Sequence, residues 1–209
     1  MSQNQVPTAP VVTLFESYGC GAEEIGRRVA EQLGVQFLSQ VYSSEQLEAA
    51  DRGQTEEADG PLLRLFKRFG VETAELDNIL VPSDQADENQ MILDNNRTIL
   101  EATAQGGVVL GRNATVVLAQ NPAALHVKLD GPVEVRVQRA AAAAGIDEAR
   151  AARRQVHEDE VRAAMSQRHY HWDPRVNDRY DLVVNVGRVD VDTTVALIVA
   201  AAKMQAARA

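Results

Sequence analysis

The feature that most constrains this chain is a recurring unit: a β-rich stretch of three to five mostly apolar residues, a turn residue, then apolar positions at helical spacing. Residues 11–15 form the first such stretch and stop at Glu16-Ser17-Tyr18-Gly19-Cys20-Gly21, after which Ile25, Val29 and Leu33 recur at helical spacing until Gly34. Residues 35–38, 108–110, 125–129 and 182–186 repeat the strand pattern, with helical candidates at 84–104, 114–119, 133–144, from Asp147 to about 167, and at 194–207 between or after them. Short apolar strands alternating with helices fold as a parallel sheet buried on both faces and covered by helices. The expected fold is therefore a three-layer α/β domain with a five-stranded parallel sheet. Pro132 suits a helix start and Asp147 an N-cap.

At 209 residues the chain has room for one such domain spanning 11–209. Hydrophobic residues reach 45%, but aromatics supply only 4%, so the core must rest on Val, Leu, Ile and close alanine contacts. The polar segment 1–10, with Pro7 and Pro10, is expected to be a flexible tail. With no apolar run long enough to span a membrane and no signal-peptide pattern, a cytoplasmic protein without a membrane partner is expected. The only cysteine, Cys20, excludes an intrachain disulfide and a cysteine-based zinc site.

The net charge of −9 argues against nucleic acid as a partner, because such domains need a basic face. The excess acid sits entirely in residues 41–101, which hold 14 acidic and 5 basic residues. Helical candidates at 44–50 and 61–69 fall in an acidic helical insertion at about 41–104, which reads either as mostly solvated surface or as a partner-facing helix pair through Leu62, Leu65, Phe66 and Phe69 that suits a second copy of the chain. Met91, Ile92, Ile99 and Ala102 mark the buried face of the following helix. Among the basic residues 18 are Arg and three are Lys, and Arg suits planar recognition of phosphate.

A glycine loop between a first strand and a helix beginning near Ala22 is a layout in which backbone N–H groups receive an anion. The full G-x-x-x-x-G-K-[ST] pattern fails at Glu16, Ala22 and Glu23. On local residues alone, a tight structural turn and an anion site are equally open. Glu23 lies in the first helical turn, where a carboxylate answers the helix dipole and repels a phosphate. Cys20 is either a small buried loop residue or a thiol with lowered pKa. His169-Tyr170-His171-Trp172-Asp173 reads as a connector anchored by Trp172 rather than as a metal site.

Six short motifs in order carry a resemblance. They are Ser17-Tyr18-Gly19-Cys20-Gly21-Ala22-Glu23-Glu24-Ile25, Val109-Leu110-Gly111-Arg112-Asn113-Ala114, Leu125-His126-Val127, Arg136 with Arg139, Asp159 with Arg162, and Tyr180-Asp181-Leu182-Val183-Val184-Asn185. Together, over about 11–201, the chain resembles the cytidylate kinase-like family of P-loop nucleoside monophosphate kinases. The resemblance implies phosphoryl transfer from ATP with Mg²⁺ to a nucleoside monophosphate or related small acceptor. It implies that the backbone of Ser17, Tyr18, Gly19, Cys20, Gly21 and Ala22 meets the donor phosphates. Arg112, Asn113, Arg136 and Arg139 would serve the acceptor. A lid at about 145–180 would bring Arg153, Arg154, Asp159 and Arg162 to the transferred group. Where that family typically has Ser, Gly and Arg in its loop, this chain has Cys20, Ala22 and Glu23. A kinase-fold binding or regulatory protein with a degenerate loop is the alternative expectation.

Overall fold

The computed structural model describes residues 9–40, 82–111 and 113–209. The expected helices at 44–50 and 61–69, the apolar face through Leu62 and Phe69, most of the tail, and Arg112 lie outside the described residues.

Five strands, β1 (Val11–Glu16), β2 (Gln36–Leu38), β3 (Gly107–Leu110), β4 (Ala124–Asp130) and β5 (Leu182–Asn185), form one sheet in the order β2-β3-β1-β4-β5. All four pairings are parallel. The helices are α1 (Ala22–Leu33), α2 (Pro82–Thr103), α3 (Ala114–Val117), α4 (Val133–Ala144), α5 (Glu148–Tyr170) and α6 (Val191–Ala206).

Strand periodicity divides the core. Val12, Leu14, Val108, Leu110, Val127 and Leu129 point to the face covered by α1 and α6, where Ile25, Val29, Val195 and Ile198 meet them. Val11, Val109 and Ala124 point the other way, against Ile99 of α2 and Ala114 and Leu118 around α3. Alternate side chains of a central strand thus serve two cores. On the second face the buried Thr13 hydroxyl lies 2.8 Å from His126 Nδ1 and 3.2 Å from the Thr115 hydroxyl, so this polar group is satisfied inside the sheet.

The caps explain the helix bounds. Gly34 ends α1 in the left-handed conformation, its N–H reaching the Ala30 and Glu31 carbonyls. Asp147 accepts from Arg150 N and Asp190 from Thr193 N. The second of these caps starts α6 at Val191, three residues before the expected start. The short helix α3 ends at Val117, ahead of the turn at Asn121. Along α2, Ile99 is fully buried while Met91, Ile92 and Ala102 are half-buried, so the expected face packs mainly near the helix's end. β5 is an edge strand and buries only Val184 fully.

Leu14, 1% exposed on the central strand, contrasts with Leu197, 46% exposed on α6. Leu14→Ala is expected to lower unfolding free energy by about 2–5 kcal/mol in urea denaturation. Leu197→Ala should stay within about 0.5 kcal/mol of the native chain.

Candidate functional site

The loop 17–21 leaves the carboxyl end of β1, the middle strand, where open α/β sheets place ligands. Ser17 N donates to Leu129 O of β4 at 3.0 Å, and Gly111 N, just past β3, donates to Leu14 O at 2.8 Å, so three strand ends are laced together here. The loop turns through two left-handed glycines, Gly19 (φ 84°) and Gly21 (φ 78°). Only glycine fits at Gly19, because a Cβ would collide with the Arg136 carbonyl oxygen of α4. Gly21 is the N-cap of α1 and offers no side chain to its amides.

Side chains from elsewhere in the chain fill that role. Ala22 N donates to Glu16 Oε2 at 3.2 Å, and Tyr18 N donates to Asp159 Oδ1 of α5 at 2.7 Å. Arg136 Nη1 bridges the Tyr18 carbonyl (2.8 Å) and Asp159 Oδ2 (3.0 Å), while its Nε holds Gly131 O. Gln155 Nε2 adds a bond to Asp159 Oδ2 at 2.8 Å. Arg139 holds Cys20 O at 3.2 Å and Val186 O at 2.7 Å. The Tyr18 side chain is buried among Val137, Ala140, Ala141 and Ala151, which packs α4 and the first half of α5 onto the loop. Tyr18 thus meets α5 through both its backbone N–H and its side chain.

The electrostatics follow from crowding. Loss of water around Glu16 raises its pKa; the Arg162 charge and the Ala22 N–H bond oppose the rise, and Glu158 and Asp159 add to it. Arg162 Nη2 pairs with buried Glu158 at 2.7 Å. Its buried Nη1 has no hydrogen-bond partner among the described residues. One guanidinium thus stands among three carboxylates beside the loop.

The expected site residues fall into three groups. Ser17 to Ala22, Arg136, Arg139, Asp159 and Arg162 converge at the end of β1. Asn113 (φ 58°) sits past β3, where its Oδ1 accepts from Ser166 Oγ (2.6 Å) and Trp172 Nε1 (3.0 Å), tying the strand end to the far end of α5. Arg153 is exposed and shares no hydrogen bond or ion pair with the loop, whereas Arg154 is buried on the same helix.

Of the two readings of Cys20, the structure supports the small buried loop residue: it is 1% exposed, and burial, reinforced by the Glu16 charge, pushes the thiol pKa up to about 12. The carboxylate on the first α1 amide is Glu16 and not Glu23, whose oxygens are taken by Arg27 and by Ser39 Oγ. Sequence reasoning met Glu16 only as a missing glycine. The available signal was an acidic side chain at the end of an otherwise apolar central strand, six residues before the helix start. Trp172, 6% exposed and tilted against the Tyr180 ring, does anchor the connector.

Among the described residues no group of three or more His, Cys, Asp or Glu side chains could hold a metal ion. Mg²⁺ in phosphoryl-transfer sites is usually held by one or two carboxylates together with substrate phosphates and needs no such cage.

Two outcomes test this geometry. Asn113→Ala strands the Ser166 and Trp172 donors and should cost about 1–3 kcal/mol in denaturation, with a red shift of the single tryptophan's emission. Asn113→Asp, which keeps an acceptor, should retain most of the stability. Because the folded chain holds the Glu16 proton to higher pH than the unfolded chain, stability from this carboxyl is full below its ordinary range and is lost as pH rises through the raised value. Glu16→Gln should therefore raise the melting temperature at pH 7 to 8, an advantage that disappears toward pH 4 in calorimetric scans.

Comparison with known proteins agrees with this architecture. A solved structure of an uncharacterized protein from Eubacterium ventriosum superposes with a TM-score of 0.66 at 20% identity, covering 94% of this chain and 99% of that one. A cytidylate kinase of Methanopyrus kandleri is 28% identical over 201 residues, 91% of this chain and 92% of the relative. A uronate isomerase of Corynebacterium glutamicum is 33% identical over 142 residues, 68% of this chain, but the match spans only 27% of that protein's length. The model of the cytidylate kinase-like family matches residues 11–188, and the chain belongs to that family.

Proposed function

We propose that this chain is a nucleotide-binding phosphotransferase that moves a phosphoryl group from ATP to a nucleoside monophosphate or a related small acceptor. The observation that carries the reading is the glycine loop at the carboxyl end of β1, feeding α1 and faced by arginines of α4 and α5. Transfer of this kind depends on positioning and on neutralising charge on the transferred group, and needs no protein base. The backbone of Ser17 to Ala22 would meet the donor phosphates. Arg112 and Asn113, past β3, would lie on the acceptor side. Arg153, Arg154 and Arg162 would be the lid cations that meet the transferred group. The carboxylates of Glu16 and Asp159 are the oxygen donors at the loop suited to Mg²⁺, which would offset phosphate charge when bound.

A second reading, a kinase fold kept as a binding or regulatory module, is favoured by the carboxylates already seated on Tyr18 N and Ala22 N. The partial match to a much longer isomerase suits a module that accompanies another activity.

Titration calorimetry with ATP–Mg²⁺ and with CMP, paired with an ADP-release assay, separates the two. Binding of both with acceptor-dependent ADP release is the expected result. Binding of the monophosphate alone, or of neither, with no ADP formed, sinks the transferase reading. Within that reading, Arg112→Ala should weaken the monophosphate by about tenfold or more, the worth of a hydrogen bond to a charged group.

A further inference from the structure

We propose that Glu16 and Asp159 form an intramolecular latch: they occupy the amides of the loop and the first turn of α1 that a phosphorylated ligand would use, so a phosphate enters only by exchange with them, loosening the hold of α5 on the loop. The inference rests on the phosphate-binding reading above and says what regulates that site.

Three features carry it. Both carboxylates accept main-chain amides of the loop and the first turn of α1, at 2.7 Å from Tyr18 N and 3.2 Å from Ala22 N, the donors by which a strand–loop–helix turn holds an anion. The two come from different elements, Glu16 from the end of β1 and Asp159 from α5, 141 residues beyond Tyr18. The seat is also unbalanced. Arg162, the charge that most favours ionised Glu16, keeps a buried Nη1 without a hydrogen-bond partner among the described residues, a donor left over for an incoming oxyanion.

Exchange would not leave Asp159 adrift. Arg136 already holds Asp159 Oδ2 and the Tyr18 carbonyl, and Gln155 holds the same Oδ2, so a freed Asp159 keeps two partners on α4 and α5. The entering anion gains two amides and the spare Arg162 donor. What it must overcome is the pair of seated charges, which an anion feels as repulsion as well as competition.

The test uses inorganic pyrophosphate and ATP–Mg²⁺ as probes, with calorimetry on the full native chain and on Glu16→Ala, Glu16→Gln and Asp159→Asn. Thermal melting establishes that each variant is folded. The Gln and Asn variants keep an acceptor and the side-chain volume, so they guard against loss of folding in the alanine variant. Glu16→Ala should bind pyrophosphate about tenfold or more tighter than the native chain, and the two isosteric variants should fall between. In the native chain, pyrophosphate should speed amide hydrogen exchange in α5 around Asp159. Affinity unchanged or weaker in all three variants overturns the latch. If the native chain then still binds ATP–Mg²⁺ and releases ADP, the latch falls and the kinase reading stands. If the variants gain pyrophosphate but no nucleotide binds to any form, the latch stands and the kinase reading falls. Absence of binding by every form to both probes overturns both.

Discussion

The bond from Tyr18 N to Asp159 is the contact on which the arrangement of the site depends. It joins the glycine loop after the first strand to the middle of a 23-residue helix near the other end of the chain. Arg136 completes it by donating to the Tyr18 carbonyl and the same carboxylate, so one residue of the loop is held at both its backbone N–H and its carbonyl. A charge-assisted bond of this kind is stronger than a neutral one. The position of α5 over the loop, and the burial of Tyr18 beneath it, follow from this one junction.

A second junction does for the end of β3 what the first does for the loop. Asn113 takes two donors from the end of α5 and the connector beyond it, and its left-handed backbone is one that Asn tolerates better than most residues. The helix is therefore pinned at its middle to the end of β1 and near its end to the end of β3. One helix is thus attached at two points to the ends of two neighbouring strands.

Much of the fold was legible before any coordinates. The apolar runs, their glycine or asparagine stops, and the caps Gly34, Asp147 and Pro132 are local signals, and local signals mark elements wherever tertiary packing agrees with them. The strand at residues 125–129 was readable despite His126 and Lys128, because its remaining residues are large and apolar. Legibility failed where one side chain had to choose among distant partners. Nothing near Glu23 says that Arg27 and Ser39 take its oxygens, and nothing near Asp159 says that its partner is an amide 141 residues earlier. Cys20 shows the same limit: a place beside a helix N-terminus favours a thiolate, yet burial and the neighbouring Glu16 outweigh that influence.

Sequence alone thus determined the order of strands and helices, the glycine turn after the first strand and the family signature, because each is written in residues close along the chain. Which carboxylates would sit on the loop amides, and which arginines would grip its carbonyls, was decided only by folding. The parallel sheet brings the ends of β1, β3 and β4 to one edge and lays α4 and α5 across them, and the meeting of charges there is a product of that crossing rather than of any spacing in the chain.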